Sequence, residues 1–551
     1  MRPDRPHGAP RGAGRTALAA VIAAALAATG ALVLPTPAGA DTAPATGVPA
    51  PDSADALPTV QIDGVVWSQA VVGTTVYAGG KFATARPAGA APGTRTVARR
   101  NLLAYDLRTG ALISSFAPQL NGQVVAVAVS PDRKRLYVGG DFTTVGSSKR
   151  YRLAAFDTAT RALVAAFHPS LDARVSAIAA TNTRVYVGGT FSTVNGNKRA
   201  RLAALNATNG KLLSWRPAAD AGVKAMVLTP DAKRLVVGGQ FTRLGTTAAY
   251  GLGALDAITG ATKAFAANAV VRNAGKDAGI TSLTTDGKRI YGTGYVWGEG
   301  GNLEGAFAAE PATGKIVWIQ DCHGDHYSGF AHGAVYYAVG HAHTCATLGG
   351  FPEVSPRAHH PALAFTTAAT GTLKHNTQPR YADFGGRPSP SLLTWFPTLT
   401  QGTYTGQSQA AWHVTGTRDY VVLGGEFVKV NGRAQQGLVR FAVRSLAPNK
   451  VGPSITGGHI DLAGSSPAAG TARLTWTTNH DRDNLKLTYR VLRSGLSTPV
   501  QSSSLSYPFW DRRKRTVTET GLAPGTYRYR VVVSDPLGNS TPSDWVSVTV
   551  G

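Results

Sequence analysis

Short apolar runs that end in turn-forming residues recur along most of this chain. In the clearest run, "LYVGGDF", the apolar residues stop at Gly139 and Gly140, and an aromatic residue, Phe142, follows shortly after. Short apolar runs bounded by Gly, Pro, Asp and Asn are typical of β-strands. The pattern therefore predicts a β-rich chain that repeats one structural unit. The seven related runs begin at Val76, Leu136, Val185, Leu235, Ile290, Tyr336 and Val421.

Each repeat contains more than one apolar run. A second motif follows each Gly-Gly motif, as in "RLAAFD" at Arg152–Asp157, and a further apolar run precedes it. Four short strands in a repeat of about 50 residues predict a β-propeller. The copies predict an all-β fold with a seven-bladed β-propeller over residues 58–450, whose ring is closed by Thr59–Val65. The Gly139–Gly140 pair is predicted to lie where neighbouring blades leave no room for a Cβ atom, with Phe142 packed between two blades.

A different pattern fills the last hundred or so residues of the chain. The segment "ARLTWTTN" contains Trp476, and "GLAPGTYRYRVVV" contains Tyr527 in an alternation of apolar and polar residues. Short alternating strands around a buried Trp, with a late Leu-x-Pro-Gly-Thr-Tyr corner, are typical of an immunoglobulin-like β-sandwich. The sequence therefore predicts a second all-β domain over residues 451–551.

Both regions resemble known families. The segments "YVGGDFTTVG" and "RYRLAAFDTATRALVAAFHP" resemble the delta-60 repeat of bacterial secreted β-propellers, over roughly Val65 to Ser445 and most closely in the first four copies. The C-terminal region resembles a fibronectin type III domain, which implies that Trp476 is its core tryptophan and Tyr527 its tyrosine corner. These resemblances imply a fold and an extracellular compartment, and they imply no catalytic residues.

The N-terminus predicts export from the cell. Arginines precede an apolar stretch at Ala17–Leu34, and the "AGA" of residues 38–40 has the form of a cleavage site. That order is typical of a secretory signal peptide, here residues 1–40, and residues 41–57 are expected to form a disordered linker. The mature protein is expected to be secreted and extracellular without membrane insertion, and its retention at the cell wall is left open.

Composition adds a strongly basic charge and a low cysteine count. The chain has 55 Lys and Arg residues against 31 Asp and Glu residues, a formal net charge of +24. This balance favours anionic partners, here a polysaccharide or another anionic wall polymer, whereas an exported protein is not expected to meet nucleic acid. In an oxidising compartment the 2 cysteines, Cys322 and Cys345, are expected to form a disulfide.

Loop lengths differ between the two faces of the predicted propeller. The turns on one face are short, and every long insertion falls on the opposite face. Because long loops on a rigid scaffold carry function, the binding site is expected on the elaborated face of blades five to seven. The insertions on that face are Tyr295–Gly305, Asp321–Gly333, Gly340–Phe351 and Arg380–His413.

Aromatic, imidazole and basic side chains on this face are the candidate ligand contacts. Aromatic rings stack on the apolar faces of sugars, and arginines bind acidic groups. The alternative for the basic side chains is a solvated or repeat-structural role. The predicted ligand-binding residues are Trp297, His326, His341, Tyr381, Trp395, Phe396, Tyr404, Arg150 and Arg199.

Histidines near the two cysteines admit a metal site. Imidazole and carboxylate ligands suit Zn²⁺ or Mn²⁺, but the spacing "DCHGDH" matches no familiar metal motif. A polar loop held by the disulfide is the alternative, and no cofactor is expected. The candidate metal ligands are His323, His326, His341 and His343.

Catalysis on a glycoside would need paired carboxylates about 5–10 Å apart. The candidates are Glu299, Asp321 and Asp325, and no sequence motif pairs any two of them. The expected function is therefore non-catalytic binding of an extracellular or cell-wall polysaccharide. A carbohydrate-active enzyme, either a glycosidase or a polysaccharide lyase, is one alternative, and a protein–protein interaction scaffold is another.

Overall fold

The computed structural model describes residues 48–551 of the chain. The predicted signal peptide and the first part of the predicted linker lie outside this range. Within the range, β-strands are joined by loops and by three short 3-10 helices, Ala266–Ala269, Ala346–Leu348 and Gly457–Ile460. None of these described helices is long and apolar enough to cross a membrane. The architecture is therefore all-β.

Seven antiparallel sheets, numbered in chain order, form a closed ring that we call the sheet ring. The first strand of each sheet contacts the first strand of the next, and the first strands of sheets 7 and 1 also meet. The first strands are Val65–Val72, Val124–Val129, Val175–Ala180, Val223–Leu228, Ala278–Thr285, His326–His332 and Ala411–Gly416. The second strands are Thr75–Lys81, Arg135–Gly140, Arg184–Gly189, Arg234–Gly239, Ile290–Val296, Val335–Ala342 and Tyr420–Gly425. The third strands are Leu102–Asp106, Leu153–Asp157, Leu202–Asn206, Leu252–Asp256, Gly305–Ala309, His360–Thr366 and Leu438–Ala442.

The outer edge of each sheet is short. Sheets 4 and 5 have a fourth strand, Thr262–Lys263 and Ile316–Gln320. In sheets 1, 2, 3 and 6 single bridges take its place, at Leu112, Leu163, Leu212 and Leu392. Short strands in the loops are Gln61–Ile62, Thr84–Arg86, Val97–Ala98, Thr144–Val145, Ser148–Lys149, Thr193–Val194, Asn197–Lys198, Arg243–Leu244, Thr247–Ala248, Gly371–Thr372, Pro388–Ser389, Leu399–Thr400, Lys429–Val430 and Arg433–Ala434.

The N-terminal segment of the described chain closes the ring on sheet 7. The backbone N–H of Ser53 donates to the carbonyl of Ala442, and the N–H of Leu57 donates to the carbonyl of Arg440, both at 2.9 Å. Leu57 and Arg440 form an antiparallel bridge, so the segment supplies the outer edge that sheet 7 lacks. The two ends of the ring are therefore joined by backbone hydrogen bonds.

Two predictions about this segment need correction. The closing bridge, Leu57 with Arg440, lies earlier than the predicted Thr59–Val65 segment. Within that segment, Gln61–Ile62 pairs with Thr84–Arg86 in the loop after the second strand of sheet 1, and the N–H of Ile62 donates to the carbonyl of Gln436 at 3.3 Å. The disordered linker predicted for residues 41–57 is also wrong at its end, because residues 51–55 are buried and hydrogen-bonded. Local composition, rich in Ala and Pro, did not reveal the sheet edge that this segment completes.

Arg440 holds the junction of the ring. Its guanidinium is buried and donates to the backbone carbonyls of Leu107 and Pro58, each at 2.6 Å, and of Arg108 at 2.9 Å. Burial lowers the pKa of Arg440, and its charge is met by carbonyl dipoles of the first sheet. One side chain of the last sheet therefore satisfies three carbonyl groups at the start of the ring.

The Gly-Gly pairs are required by packing, as predicted. A Cβ atom on Gly139 would lie 2.6 Å from Cγ1 of Val175 in the next sheet, and one on Gly140 would lie 2.0 Å from the carbonyl oxygen of Gln123. Phe142 is fully buried in the apolar cluster shared by sheets 1 and 2. The prediction is confirmed for Gly139 and Phe142, whereas the close contact of Gly140 lies within its own sheet and not between sheets.

Two further sheets enclose a second core, and we call residues 463–550 the C-terminal unit. Trp476 lies buried in this core. The hydroxyl of Tyr527 donates to the carbonyl of Ala523 at 2.9 Å. One sheet comprises Ala463–Ser465, Thr471–Thr477 and Lys514–Thr520. The other comprises Gln501–Ser506, Lys486–Arg493, Gly525–Ser534, Ser540–Pro542 and Val546–Val550.

The C-terminal unit packs against the sheet ring near its closure. The Asp483 carboxylate accepts a hydrogen bond from the N–H of Ala54 at 2.6 Å. The Phe509 ring lies 4.5 Å from Phe396 and 5.6 Å from Phe351, measured between centroids. The closing segment is therefore covered by the second unit.

Candidate functional site

A cavity of about 1320 Å³ opens at the end of the ring where the first strands begin, and we call it the mouth cavity. This is the face that carries the long insertions. All seven first strands contribute to its wall near their starts, so the cavity lies on the axis of the ring. The contributing side chains are Trp67, Val125, Ser176, Lys224, Thr281, Tyr327 and Trp412.

Each long insertion also reaches the mouth cavity. Trp297 comes from the first, His341 and His343 from the loops around the disulfide, and Tyr381 and Gln409 from the excursion before sheet 7. The Cys322–Cys345 disulfide is present, which confirms that prediction. It ties the loop that enters sheet 6 to the loop that leaves its second strand.

Aromatic rings line one side of the mouth cavity. The Trp67 and Trp412 rings meet edge to face at 5.1 Å, and Tyr327 packs on Trp412 at 4.2 Å between centroids. The Tyr327 hydroxyl lies 3.1 Å from Nδ1 of His341. Because these rings sit on rigid first strands of sheets 1, 6 and 7, they form a fixed platform.

Lys224 faces the cavity from sheet 4, across the ring from sheets 7 and 1. Its Nζ lies 5.7 Å from the centroid of the Tyr295 ring. Burial lowers the pKa of Lys224, and the nearby charge of Arg174 lowers it further. Arg174 is itself paired with Asp141, whose carboxylate accepts from Nε at 2.9 Å. Among residues 48–551 no carboxylate forms an ion pair with Lys224, so its charge is available to an anionic ligand.

Two carboxyl groups, Glu304 and Asp325, also line the cavity. Burial, reinforced by the charge of Asp325, raises the pKa of Glu304 to about 7. Burial raises the pKa of Asp325 to about 6, against the hydrogen bond that the Val296 N–H donates to it. The Glu304 carboxylate accepts from the N–H of Gly324 at 2.8 Å. At pH 7 Glu304 is therefore about half protonated and Asp325 is mostly ionised, so the pair carries a negative charge that grows as the pH rises.

Five of the predicted site residues are brought together at the cavity wall. Asp325, Trp297, His341, Tyr381 and His343 all line it. Trp297 is 79% exposed, the most open of the aromatic candidates. The insertions therefore place acid, imidazole and aromatic groups around one opening.

The remaining aromatic predictions need correction. Trp395 is fully buried and packs on Tyr337 and Phe441 in the core that closes the ring. Phe396 contacts the C-terminal unit through Phe509. Tyr404 is 47% exposed but lies outside the mouth cavity, next to Lys81. An aromatic-rich loop packs most of its rings, because apolar burial stabilises them more than exposure.

The predicted basic contacts, Arg150 and Arg199, are structural. Arg150 donates to the carbonyls of Lys149 and Ala165, and Arg199 donates to those of Lys198 and Leu213. Arg99 makes the equivalent contacts in sheet 1. These arginines hold the outer edge of each repeat, so their charge is directed at the backbone and not at a ligand.

The other acid and imidazole candidates also lie off the cavity. Glu299 is exposed at the tip of its loop. Asp321 is buried beneath the wall, 3.7 Å from Nε2 of His323. His326 is buried, with Nδ1 2.8 Å from the carbonyl oxygen of Gly324, and burial lowers its pKa to about 4. Asp321 and His326 are therefore buried in the core, and Glu299 faces solvent.

The four histidines do not converge as a metal centre. The rings of His323 and His343 are 6.4 Å apart, and His323 stacks on Tyr381 at 3.8 Å. Burial lowers the pKa of His343 to about 4. In the part of the chain that the structure describes, no group of three or more His, Cys, Asp or Glu side chains is arranged to hold a metal ion.

Several wall residues escaped the sequence analysis. Trp67, Lys224 and Trp412 lie within apolar runs whose pattern predicts only β-strands. These runs are "VVWSQ", "GVKAMV" and "AAWHV". A large polar or aromatic residue near the start of a first strand, pointing at the ring axis, was the signal that could have found them. Such a residue indicates a cavity wall only when the sheets close into a ring, and the sequence of a single repeat does not reveal that closure.

A smaller cavity of about 300 Å³ adjoins the mouth cavity. His341 and Gln409 line both. The Oε1 atom of Gln409 accepts a hydrogen bond from Nδ1 of His341 at 3.1 Å. His359 and Thr400 line its far side, between sheets 6 and 7. The two cavities are therefore neighbours that share the His341–Gln409 wall.

Comparisons with known proteins bear on the fold. A family model described as the Rax2 C-terminal beta propeller domain matches residues 102–222, which include sheet 2 and sheet 3. The ring is a β-propeller. A solved structure named "Crystal Structure of Mitotic Checkpoint Complex" is similar to 73% of this chain and 99% of its own, at 12% identity and a TM-score of 0.40. No curated protein sequence matches the chain.

Proposed function

We propose that this protein is secreted, and that its seven-bladed propeller binds an anionic polysaccharide in the mouth cavity. The seven sheets of the closed ring support the number of blades. The buried Trp476, and the Tyr527 hydroxyl bonded to a carbonyl four residues earlier, support a fibronectin type III domain over residues 451–551. The delta-60 repeat type remains part of this proposal.

Secretion is supported by the disulfide and by the N-terminal sequence. A disulfide such as Cys322–Cys345 persists in an oxidising compartment outside the cytosol. We assign residues 1–40 to a signal peptide and begin the propeller at the closing segment, near residue 51, instead of at residue 58. The net charge of +24 favours an anionic wall polymer as the partner.

The pairing of Lys224 with the aromatic platform carries the binding proposal. Lys224 offers a cation without a carboxylate partner in the described chain, and Trp412 with Trp67 offers apolar ring faces on the other side of the same cavity. A uronate sugar matches both features, because the apolar face of its ring can stack on the tryptophans and its anionic carboxylate can bind Lys224. The volume of the mouth cavity, about 1320 Å³, suits an oligomer better than a single sugar.

Binding of galacturonate oligomers, measured by isothermal titration calorimetry, tests the proposal. Lys224→Gln should weaken binding about tenfold or more, since a hydrogen bond to a charged group contributes about 1.5–3 kcal/mol. Lys233→Gln is the matched control, because Lys233 belongs to the same sheet but lies in the exposed turn at its opposite end. Equal affinity of the parent for neutral oligomers, or no effect of Lys224→Gln, would contradict the proposal.

A carbohydrate-active enzyme is the second candidate, and the Glu304–Asp325 pair is the observation that favours it. A carboxyl group with a pKa of about 7 is suited to donate a proton to a leaving glycosidic oxygen, in hydrolysis or elimination. Release of reducing ends from polygalacturonate, abolished in Glu304→Gln and retained in Glu299→Gln, would support an enzyme. Absence of product across a polysaccharide panel would leave binding alone.

A further inference from the structure

The C-terminal unit carries a basic stripe on the outer face of its five-stranded sheet. Along Lys486–Arg493 and Gly525–Ser534, alternate residues such as Tyr489 and Val531 point into the core. The residues between them point outward, because side chains alternate along a strand. The outward cations are Lys486, Arg490, Arg528 and Arg530.

Strand register brings these cations together. Leu492 pairs with Arg530, and Arg490 pairs with Val532, so Arg490 and Arg530 are diagonal neighbours on adjacent strands. Adjacent strands lie about 4.8 Å apart, and alternate residues along a strand lie about 6.7 Å apart. The four charges therefore form a basic stripe across two adjacent strands.

Trp545 lies against the same patch. The guanidinium carbons of Arg530 and Arg528 lie 4.7 and 5.5 Å from the centroid of the indole ring. The tryptophan is 37% exposed. Nε of Arg530 is buried without a hydrogen-bond partner. An exposed ring held beside two arginines offers a stacking surface next to positive charge.

The charge of the patch is not balanced on its own face. Among the basic residues of these two strands, Arg493 forms an ion pair with a carboxylate. Its partner, Glu519, belongs to the other sheet. The other outward positions on these described strands contain no acidic residue and are mostly hydroxyl-bearing. The hydroxyl-bearing positions are Thr488, Ser502, Ser504, Ser506, Thr526, Ser540, Ser547 and Thr549.

We propose that this outward face is a second polysaccharide site, which binds a linear acidic polysaccharide with a sugar ring on Trp545 and its acidic groups on Arg528 and Arg530. Serine and threonine hydroxyls on this face can bond sugar hydroxyls. Charged and hydroxyl side chains predominate on it, which favours a polysaccharide over the apolar face of a partner helix. The site lies on the C-terminal unit, apart from the mouth cavity, so it can bind the polymer whether or not the mouth cavity is occupied.

Affinity electrophoresis of the full chain through gels that contain polygalacturonate tests the proposal. The double variant Arg528→Gln/Arg530→Gln should weaken binding about three- to tenfold, since each exposed charge pair contributes about 0.2–1 kcal/mol. Arg473→Gln/Lys514→Gln is the matched control, because it removes the same charge from the outward face of the other sheet of this unit. Trp545→Ala should weaken binding to polygalacturonate as well.

The outcomes separate this site from the mouth cavity and from general polyanion binding. The loss in Arg528→Gln/Arg530→Gln should persist when Lys224→Gln is also present, because the two sites are independent. An equal loss in the control variant would mean that net charge alone acts, and would overturn the site. Duplex DNA that binds as tightly, with the same loss and no dependence on Trp545, would overturn the assignment to polysaccharide.

Discussion

Replacing Glu304 by Gln should make the stability of the propeller less dependent on pH. Burial raises the pKa of this carboxyl from its ordinary value of 4.5 to about 7. Below pH 4.5 both the folded and the unfolded chain hold the proton, so the group adds no pH dependence there. Between these two values the unfolded chain ionises first, and the stability of the folded state falls as pH rises. Above pH 7 the loss is complete.

The expected size follows from the difference between the two pKa values. One pKa unit corresponds to about 1.4 kcal/mol, so the native glutamate lowers the free energy of unfolding by about 3 kcal/mol at pH 8 relative to pH 4. Glutamine cannot ionise, and its carbonyl oxygen can still accept the hydrogen bond that the N–H of Gly324 donates. The variant should therefore gain up to about 3 kcal/mol over the parent at pH 8 and little at pH 4.

Thermal unfolding of parent and variant across a pH series measures this effect. The melting temperature of Glu304→Gln should exceed that of the parent at pH 8, and the difference should shrink as the pH falls toward 4. Glu299→Gln is the control, because it removes the same charge from an exposed position in the same loop. A difference between Glu304→Gln and the parent that is constant with pH would refute the reasoning.

Three further predictions concern the cavity and the ring. Binding of galacturonate oligomers should weaken as pH rises from 5 to 8, because Glu304 and Asp325, with pKa values of about 7 and 6, gain negative charge in the cavity. Titration calorimetry at several pH values measures this affinity, and an affinity that rises with pH would contradict the prediction. Gly139→Ala should destabilise the ring by about 1–3 kcal/mol through overpacking. Gly222→Ala should be tolerated, since its nearest neighbour would be 3.6 Å away, and equal melting temperatures for the two variants would count against the packing argument. Arg440→Met should cost about 3 kcal/mol, because buried carbonyl groups lose their donors, and unchanged resistance to heat and protease would show that the ring closes without it.

Local sequence patterns were sufficient to predict the repeating unit. The apolar runs, the Gly139–Gly140 pair and the buried Phe142 follow from period, turn chemistry and residue size, all of which act within a few residues of one another. The disulfide could also be predicted, because 2 cysteines in an exported chain leave one pairing. The excess of long loops on one face indicated which end of the ring would carry the cavity.

Tertiary structure decided which side chains of those loops meet a ligand. Trp395 and Phe396 belong to the same aromatic excursion as Tyr381, yet the first two are packed by the ring closure and by the C-terminal unit. The sequence could not distinguish them, because burial depends on what the rest of the chain brings alongside.

The sequence by itself determined the strand pattern, the repeat and the elaborated face of this protein. Only the tertiary structure joined Ser53–Leu57 to sheet 7 and placed Lys224 across from Trp412. Each of these arrangements brings together residues that are far apart in the sequence. They exist because seven similar sheets close into a ring, and closure is a property of the whole chain that no local pattern contains.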